Sequence, residues 1–346
     1  MPFDLNLVWF ILLGILLIGY AILDGFDLGV GILHPIARTD TERRLFMNSI
    51  GPIWDGNEVW LITFGGALFA AFPEAYATVF SGFYLAFMLL LLALIFRAVS
   101  LEFRSKNKST LWRAFWDYAF FGSSLLATLL FGVAVGNSIV GLPLDQNGIY
   151  LGGFWNLISV YTVLTGLLAV SMFAMHGAIY LYLKTEGQVQ ERLQPWMWRL
   201  WGIFLTLYIL ATIMTLVEVP EAAQNVRDYP WAALVVILSV LGIANIPRTL
   251  FNKKYGQAFL SSAATIAGLS GLFMLALFPN LVVASNDPEM GSVVTNSLTI
   301  YNAASSQKTL GIMFLIAVLG MPLVLLYTSA VYWSFRGKVT LGEHSY

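Results

Sequence analysis

Four carboxylates sit where a hydrocarbon-rich chain should carry none. Asp24 and Asp27 close an apolar run that starts at Leu5, within the stretch AILDGFDLGVGIL. Asp55 and Glu58 fall in a second stretch, GPIWDGNEVW. Each pair is three residues apart, a spacing that places both side chains on one helix face. An acid at the centre of a membrane helix costs about 2.5–3.5 kcal/mol to insert. Such residues face a protein interior or a water-filled path and have a function there. Four acids in a dry site cannot all be ionised, because desolvation and mutual repulsion favour the protonated form. Groups poised between protonated and ionised are what a proton relay needs. A second reading makes them helix-end acids neutralised by Arg38, Arg43, Arg44 and Arg97, holding helices in register. Both readings stay open for Asp24, Asp27 and Asp55. Glu58 has the plainer alternative of a hydrogen bond to a neighbour.

The elements that must position these groups are two antiparallel helices joined by a short basic loop around residues 35–45. Asp24, Asp27, Gly31 and His34 form one stripe on the first helix. By helical rise Asp27 lies about 12 Å from the loop, Asp24 about 16 Å, Asp55 about 15 Å and Glu58 about 20 Å, so the four acids are expected at similar depth. Gly51, Pro52 and Gly56 can loosen the second helix there and free carbonyls for water. Trp54 and Asn57 are expected to supply supporting polar groups. Arg97, in LIFRAVSLEFRSK, either reaches back as countercharge or snorkels at the membrane boundary.

The rest of the chain fits this setting. Of 346 residues 58% are hydrophobic and 11% charged, with a mean hydropathy of +0.77, which identifies a polytopic all-α integral membrane protein. The absence of cysteine excludes disulfides, thiolate metal sites and iron–sulfur clusters. The acidic flank MPFDLN does not read as a cleaved signal peptide. Stretches of about 20 apolar residues predict nine spans, approximately 5–33, 46–72, 77–97, 114–136, 154–183, 198–217, 231–246, 257–279 and 309–333, within one polytopic domain, 1–346. All but two of the 18 Lys and Arg fall in the segments after spans 1, 3, 5, 7 and 9; the exceptions are Arg227 and Lys308. The positive-inside rule then puts the N-terminus outside and the C-terminus in the cytoplasm. The longest outer segment, about 280–308, is polar and reads as a surface loop, a partner contact or a lid.

Histidines are few. His34 is expected in a loop, His344 near the C-terminus, and only His176, in SMFAMHGAIY, inside a span. A buried haem needs axial ligands such as His or Met, and one intramembrane His cannot serve several haems. A hydrogen-bonded packing role is the expectation for His176. No metal site and no nucleic-acid partner is expected.

The blocks DGFDLGVG, TERR, NSIGPIWDGNEVWLITFGGALFAAFP, FSGFY, FRAVSLEFRSK and SLTIYNAASSQKTLG together resemble subunit II of cytochrome bd-type quinol oxidases, from the first span to the ninth. The resemblance implies two four-helix bundles plus one peripheral helix in a prokaryotic cytoplasmic (inner) membrane. It implies a haem-bearing subunit I as partner, with a small single-span accessory subunit as a further one, and lipid around them. The two b-type haems and haem d would belong to subunit I, none being ligated by this chain, and a quinone stays open as a further ligand. The complex would oxidise quinol, reduce O2 to water with protons from the cytoplasm, and be electrogenic. The family's proton inlet maps onto Asp24 or Asp27 and onto Asp55, with Trp54 packing on a quinone or partner helix. Glu58 stands where some members carry Gln and inherits no role. Three functions remain: a proton-delivering oxidase subunit, a proton-coupled transporter, and a scaffold whose acids only lock helices.

Overall fold

The computed structural model describes residues 4–285 and 296–342. Backbone polar groups have no water to bond in hydrocarbon, so apolar segments satisfy them internally as helices. Helix α1 is Leu5–Leu33, opened by Asp4, whose side chain accepts from the backbone N–H groups of Asn6 and Leu7. A 3₁₀ turn, His34–Ile36, leads to α2 (Asp40–Ile50) and α3 (Trp54–Ala71). Then come α4 (Pro73–Gly82), α5 (Tyr84–Phe103), α6 (Thr110–Val140), α7 (Val160–Lys184) and α8 (Gly187–Glu218). The short α9 (Gln224–Asp228) precedes α10 (Ala232–Phe251), α11 (Tyr255–Leu277) and α12 (Gln307–Ser334).

Eight of these, α1, α5, α6, α7, α8, α10, α11 and α12, are long and apolar enough to cross a membrane. The expected span 46–72 is two elements. A turn at Gly51–Ile53 separates α2 from α3, where Pro52 lacks a backbone donor. Helix α3 keeps 18 residues, about 27 Å of rise, but Asp55, Asn57 and Glu58 lower its apolarity and it is not among the eight. The expected span 77–97 is likewise divided at Phe83 between α4 and α5. Pro73 separates α3 from α4: it takes the first helical position, and Phe72 before it leaves the helical region with φ −137° and ψ 68°. Expected span 154–183 starts late, because Phe154–Leu157 is a 3₁₀ turn and Ser159 caps the helix that follows. The sixth and seventh spans run beyond their apolar cores, to Gly187 and to Phe251, across Pro195 and Pro247.

Helix α1 is central and packs against α3, α6, α7, α11 and α12. Its closest approach is to α7. A Cβ at Gly29 would lie 2.0 Å from the Phe173 carbonyl oxygen and 2.9 Å from Gly177 Cα, so only glycine permits that crossing. One large core gathers Phe26, Val30, Met47, Phe120, Ala178 and Ile246. A second, toward the opposite end of α1, gathers Trp9, Leu13, Phe72, Leu144, Ile300 and Leu310.

The described parts of the polar 280–308 segment hold regular structure. Its residues 286–295 lie outside the described residues, as does His344. The flanks pair as a short antiparallel ribbon, β1 (Asn280–Val282) with β2 (Leu298–Thr299). Ser305 then closes α3, donating its backbone N–H to the Ala71 carbonyl at 2.8 Å and its hydroxyl to the Ala70 carbonyl at 2.7 Å. Those carbonyls are among the helix-end acceptors that lack an intrahelical donor.

Candidate functional site

Three of the four acids meet one arginine. Helix α1 supplies Asp24 and Asp27, α3 supplies Glu58, and α5 supplies Arg97. Asp24, Asp27 and Arg97 are all fully buried. The guanidinium grips Asp24 through two parallel bonds, Nη2 to Oδ1 at 2.5 Å and Nη1 to Oδ2 at 3.0 Å. Nη1 also donates to Glu58 Oε1 at 3.1 Å, and Nη2 lies 3.8 Å from Asp27 Oδ2. Arg97 is therefore not a snorkelling boundary residue. Its guanidinium is held between three carboxylates, and an unpaired charge at that depth would be far costlier than this arrangement.

Asp27 is held differently from Asp24. Asn57 Nδ2 donates to Asp27 Oδ2 at 2.7 Å, and Tyr332 OH donates to Asn57 Oδ1 at 2.8 Å. A polar chain thus runs from α1 through α3 to α12. Asp27 Oδ1 has no hydrogen-bond partner among the described residues, nor has Arg97 Nε. One guanidinium balances one carboxylate, and Asp24 takes the bidentate share. Asp27 and Glu58 are in excess.

Asp55 does not join the cluster. It is exposed and accepts from the Gly56 backbone N–H at 2.8 Å. Asn57 faces α1, and two residues earlier a helix points about 200° away, so a short side chain at 55 cannot turn inward. Glu58 reaches Arg97 because it is longer, and its side chain keeps 22% exposure. Of the four acids, three meet at Arg97 and Asp55 does not. Trp54 packs against the large apolar core.

A second buried charge cluster was missed. Asp117 on α6 receives His34 Nε2 at 2.6 Å, Arg104 Nε at 2.6 Å and Arg43 Nη1 at 3.2 Å. Arg104 Nη2 also reaches Asp40 at 2.9 Å, and Arg113 reaches the same carboxylate at 3.2 Å. His34 is therefore not a loop residue: it is 2% exposed, in a 3₁₀ turn, edge-on to Phe120. Its place beside Asp24 and Asp27 on the stripe does not bring it to them, because Gly31 lies between, against Ser124. The signal was an acid inside an apolar segment, AFWDYAF, the same signal that flags Asp24.

Neither buried histidine fits an axial haem ligand. His176 Nε2 must carry the proton it gives to the Ile22 carbonyl, 3.2 Å away, so Nδ1 pairs with the Ser262 hydroxyl at 2.6 Å. The ring stacks on Phe259 at 4.6 Å. His34 Nε2 is committed to Asp117. Among the described residues no three His, Cys, Asp or Glu side chains come together as a metal site.

The chain thus places buried carboxylates within its long apolar helices. Comparison with known proteins gives it a family. The model of cytochrome bd terminal oxidase subunit II matches residues 5–335. Cytochrome bd-I ubiquinol oxidase subunit 2 of Escherichia coli K12 is 38% identical, over 97% of this chain and 95% of that one. Cytochrome bd ubiquinol oxidase subunit 2 of Bacillus subtilis 168 is 33% identical, over 98% of each. The structure of bd oxidase from Geobacillus thermodenitrificans shares the fold, with a TM-score of 0.78 at 17% identity, covering 96% of this chain and 99% of that one. With its whole helical core matched, the chain belongs to the subunit II family of cytochrome bd terminal oxidases.

Proposed function

We propose that this chain is the haem-free subunit of a quinol-oxidising, O2-reducing complex and that it carries protons inward from the cytoplasmic side. The observation that carries this reading is Asp27: buried, beside an arginine already claimed by Asp24, with one carboxyl oxygen left unpartnered. Glu58 is the group through which the cluster meets the outside, with Asp55 beyond it on the exposed face of α3. A proton arriving at Glu58 passes to Asp27, while Asp24 stays paired with Arg97 as its counter-ion. The receiving chain is the haem-bearing subunit I, which is proposed to hold the b-type haems and haem d. The energy-conserving, translocase character of the complex follows if the protons consumed come from the cytoplasm.

The same reading keeps nine crossings, with α3 as the one below the apolarity of the rest. They form a single domain of two four-helix bundles and a peripheral helix in the cytoplasmic membrane, with the N-terminus outside. A quinone and a single-span accessory subunit are further proposed members of the complex. A scaffold role is favoured for Asp24 by its bidentate grip on Arg97. The test is quinol-dependent O2 consumption by the purified complex. Asp27→Asn and Asp55→Asn slow turnover while the reduced haem spectrum persists. Normal turnover with both acids removed rejects the relay, and loss of haem together with activity assigns the acids to scaffolding.

A further inference from the structure

Helices α10 and α11 form a hairpin whose outer side holds a groove of about 870 Å³. Leu238 and Leu241 from α10 and Leu260 and Ala264 from α11 line its length. The three leucines are 56%, 58% and 67% exposed. Toward the turn at residues 252–254 the lining changes to Asn245, Arg248 and Gln257. From Val235 to Arg248 the groove follows about 20 Å of helix, against about 15 Å for half of a bilayer's hydrocarbon core.

Charge along the hairpin is one-sided. Residues 232–277 contain no Asp or Glu, and their three charged residues, Arg248, Lys253 and Lys254, all sit at or beside the turn. Among the described residues none of the three has a carboxylate within ion-pair distance, whereas Arg97, Arg104 and Arg192 each hold one. The nearest side-chain acceptor to Arg248 is Asn245 Oδ1 at 3.5 Å, too long for a strong bond.

We propose that this groove binds one anionic phospholipid, with its phosphate on Arg248 and one acyl chain along the leucine-lined length. A guanidinium fits a phosphate through two parallel bonds. Lys253 and Lys254 add attraction for the net negative headgroup, and Asn245 and Gln257 offer amide donors to its ester oxygens. A zwitterionic lipid would supply the same tail without the net charge. With the orientation proposed above, the site faces the cytoplasmic leaflet.

The test uses the intact complex, stripped of lipid in detergent and titrated by native mass spectrometry. The probes are dioleoyl phosphatidylglycerol and dioleoyl phosphatidylcholine. Wild type is expected to bind phosphatidylglycerol more tightly than phosphatidylcholine. Arg248→Gln weakens phosphatidylglycerol alone, by about fivefold, the effect of one cation near an anionic surface. Ala264→Phe, at an exposed position that fills the groove, weakens both lipids. Co-purification of the partner subunit in normal yield shows that each variant is folded. Unchanged phosphatidylglycerol binding in Arg248→Gln overturns the proposal. So does a headgroup effect without any effect of Ala264→Phe, since that describes a charged surface and not a groove. Failure of wild type to prefer phosphatidylglycerol, as when a protein segment covers the groove in the complex, overturns it equally.

Discussion

Replacing Arg97 by Gln tests whether Asp24 is a counter-ion or a proton carrier. At an effective dielectric of about 20, unit charges about 4 Å apart attract by roughly 4 kcal/mol. Arg97 has one such partner at 3.8 Å in Asp27 and closer ones in Asp24 and Glu58. Desolvation of the buried groups offsets most of that attraction, so the pair adds little net stability while both members are present. Removing one member exposes the uncompensated cost, about 3–5 kcal/mol. Arg97→Gln strands Asp24 without its bidentate donor, and Asp24→Asn leaves the guanidinium with Glu58 and the more distant Asp27. Each single variant should therefore shorten the half-life of the purified complex at elevated temperature. The double variant Asp24→Asn/Arg97→Gln should recover part of the loss, because the bidentate pair is removed together while Glu58 and Asp27 still lose their cation. Oxygen consumption is measured on the same samples. If the double variant regains stability and also turns over, Asp24 is a counter-ion and the proton passes elsewhere. If Arg97→Gln alone leaves the half-life unchanged, the reasoning from a buried, mutually dependent cluster is wrong.

Asn57→Leu removes the bridge between Asp27 and Tyr332 and should cost about 1–3 kcal/mol for the buried groups it leaves unpaired, with α12 the first element to become protease-sensitive. Gly29→Ala drives a Cβ into the Phe173 carbonyl at 2.0 Å and should destabilise by about 1–3 kcal/mol, whereas Gly202→Ala, with nothing within 4 Å on α8, should gain about 0.5–1 kcal/mol from helix propensity; thermal melts of both variants decide. Glu42 accepts from Arg192 at 2.8 and 3.0 Å and from the Arg38 backbone at 2.6 Å, and these donors, Arg192 first, hold its carboxyl below the ordinary value. The stability it contributes is complete above the unfolded value of about 4.3 and is lost as pH falls through the folded one, so Glu42→Gln should lower the melting temperature near neutral pH and match wild type in strong acid.

The long apolar helices were legible because hydrocarbon leaves a segment no other way to satisfy its backbone, and a run such as 309–333 can be counted. The break at Phe83 was not, since hydropathy averages over the turn, and the one at Gly51–Ile53 was legible only as a loosening at Gly51 and Pro52. The meeting of Asp24, Asp27 and Glu58 was legible from spacing and from the antiparallel pairing of neighbouring helices. The outward turn of Asp55 was not, because the three-residue spacing to Glu58 says that two residues share a face without saying that a short side chain reaches what a long one reaches. Arg97 could be read either as countercharge or as a boundary residue, because only its position in sequence was available. Its burial depends on α5 packing beside α1, a long-range contact that no local pattern encodes. Asp117 carried the same signal as Asp24, an acid among aromatic and aliphatic neighbours, and was passed over because it stands without a second acid nearby.

The two buried clusters differ in the sign of their surplus, and that difference separates their roles. Both draw on α5, which gives Arg97 to one and, seven residues and about two turns later, the adjoining Arg104 to the other. Around Arg104 two carboxylates, Asp117 and Asp40, face three arginines, Arg43, Arg104 and Arg113, with His34 as a further donor. Every oxygen of Asp117 is engaged. A carboxylate so occupied has no lone pair to offer an incoming proton, and its use is to clamp the end of α1 to α2, α5 and α6. Around Arg97 three carboxylates face a single arginine, and Asp27 keeps an oxygen free. A negative surplus with an unengaged carboxylate oxygen attracts a proton and can release it again, whereas at Asp117 a positive surplus surrounds a carboxylate whose two oxygens are both engaged. The proposed proton handling therefore fits the Arg97 cluster, and within that cluster Asp27 before Asp24.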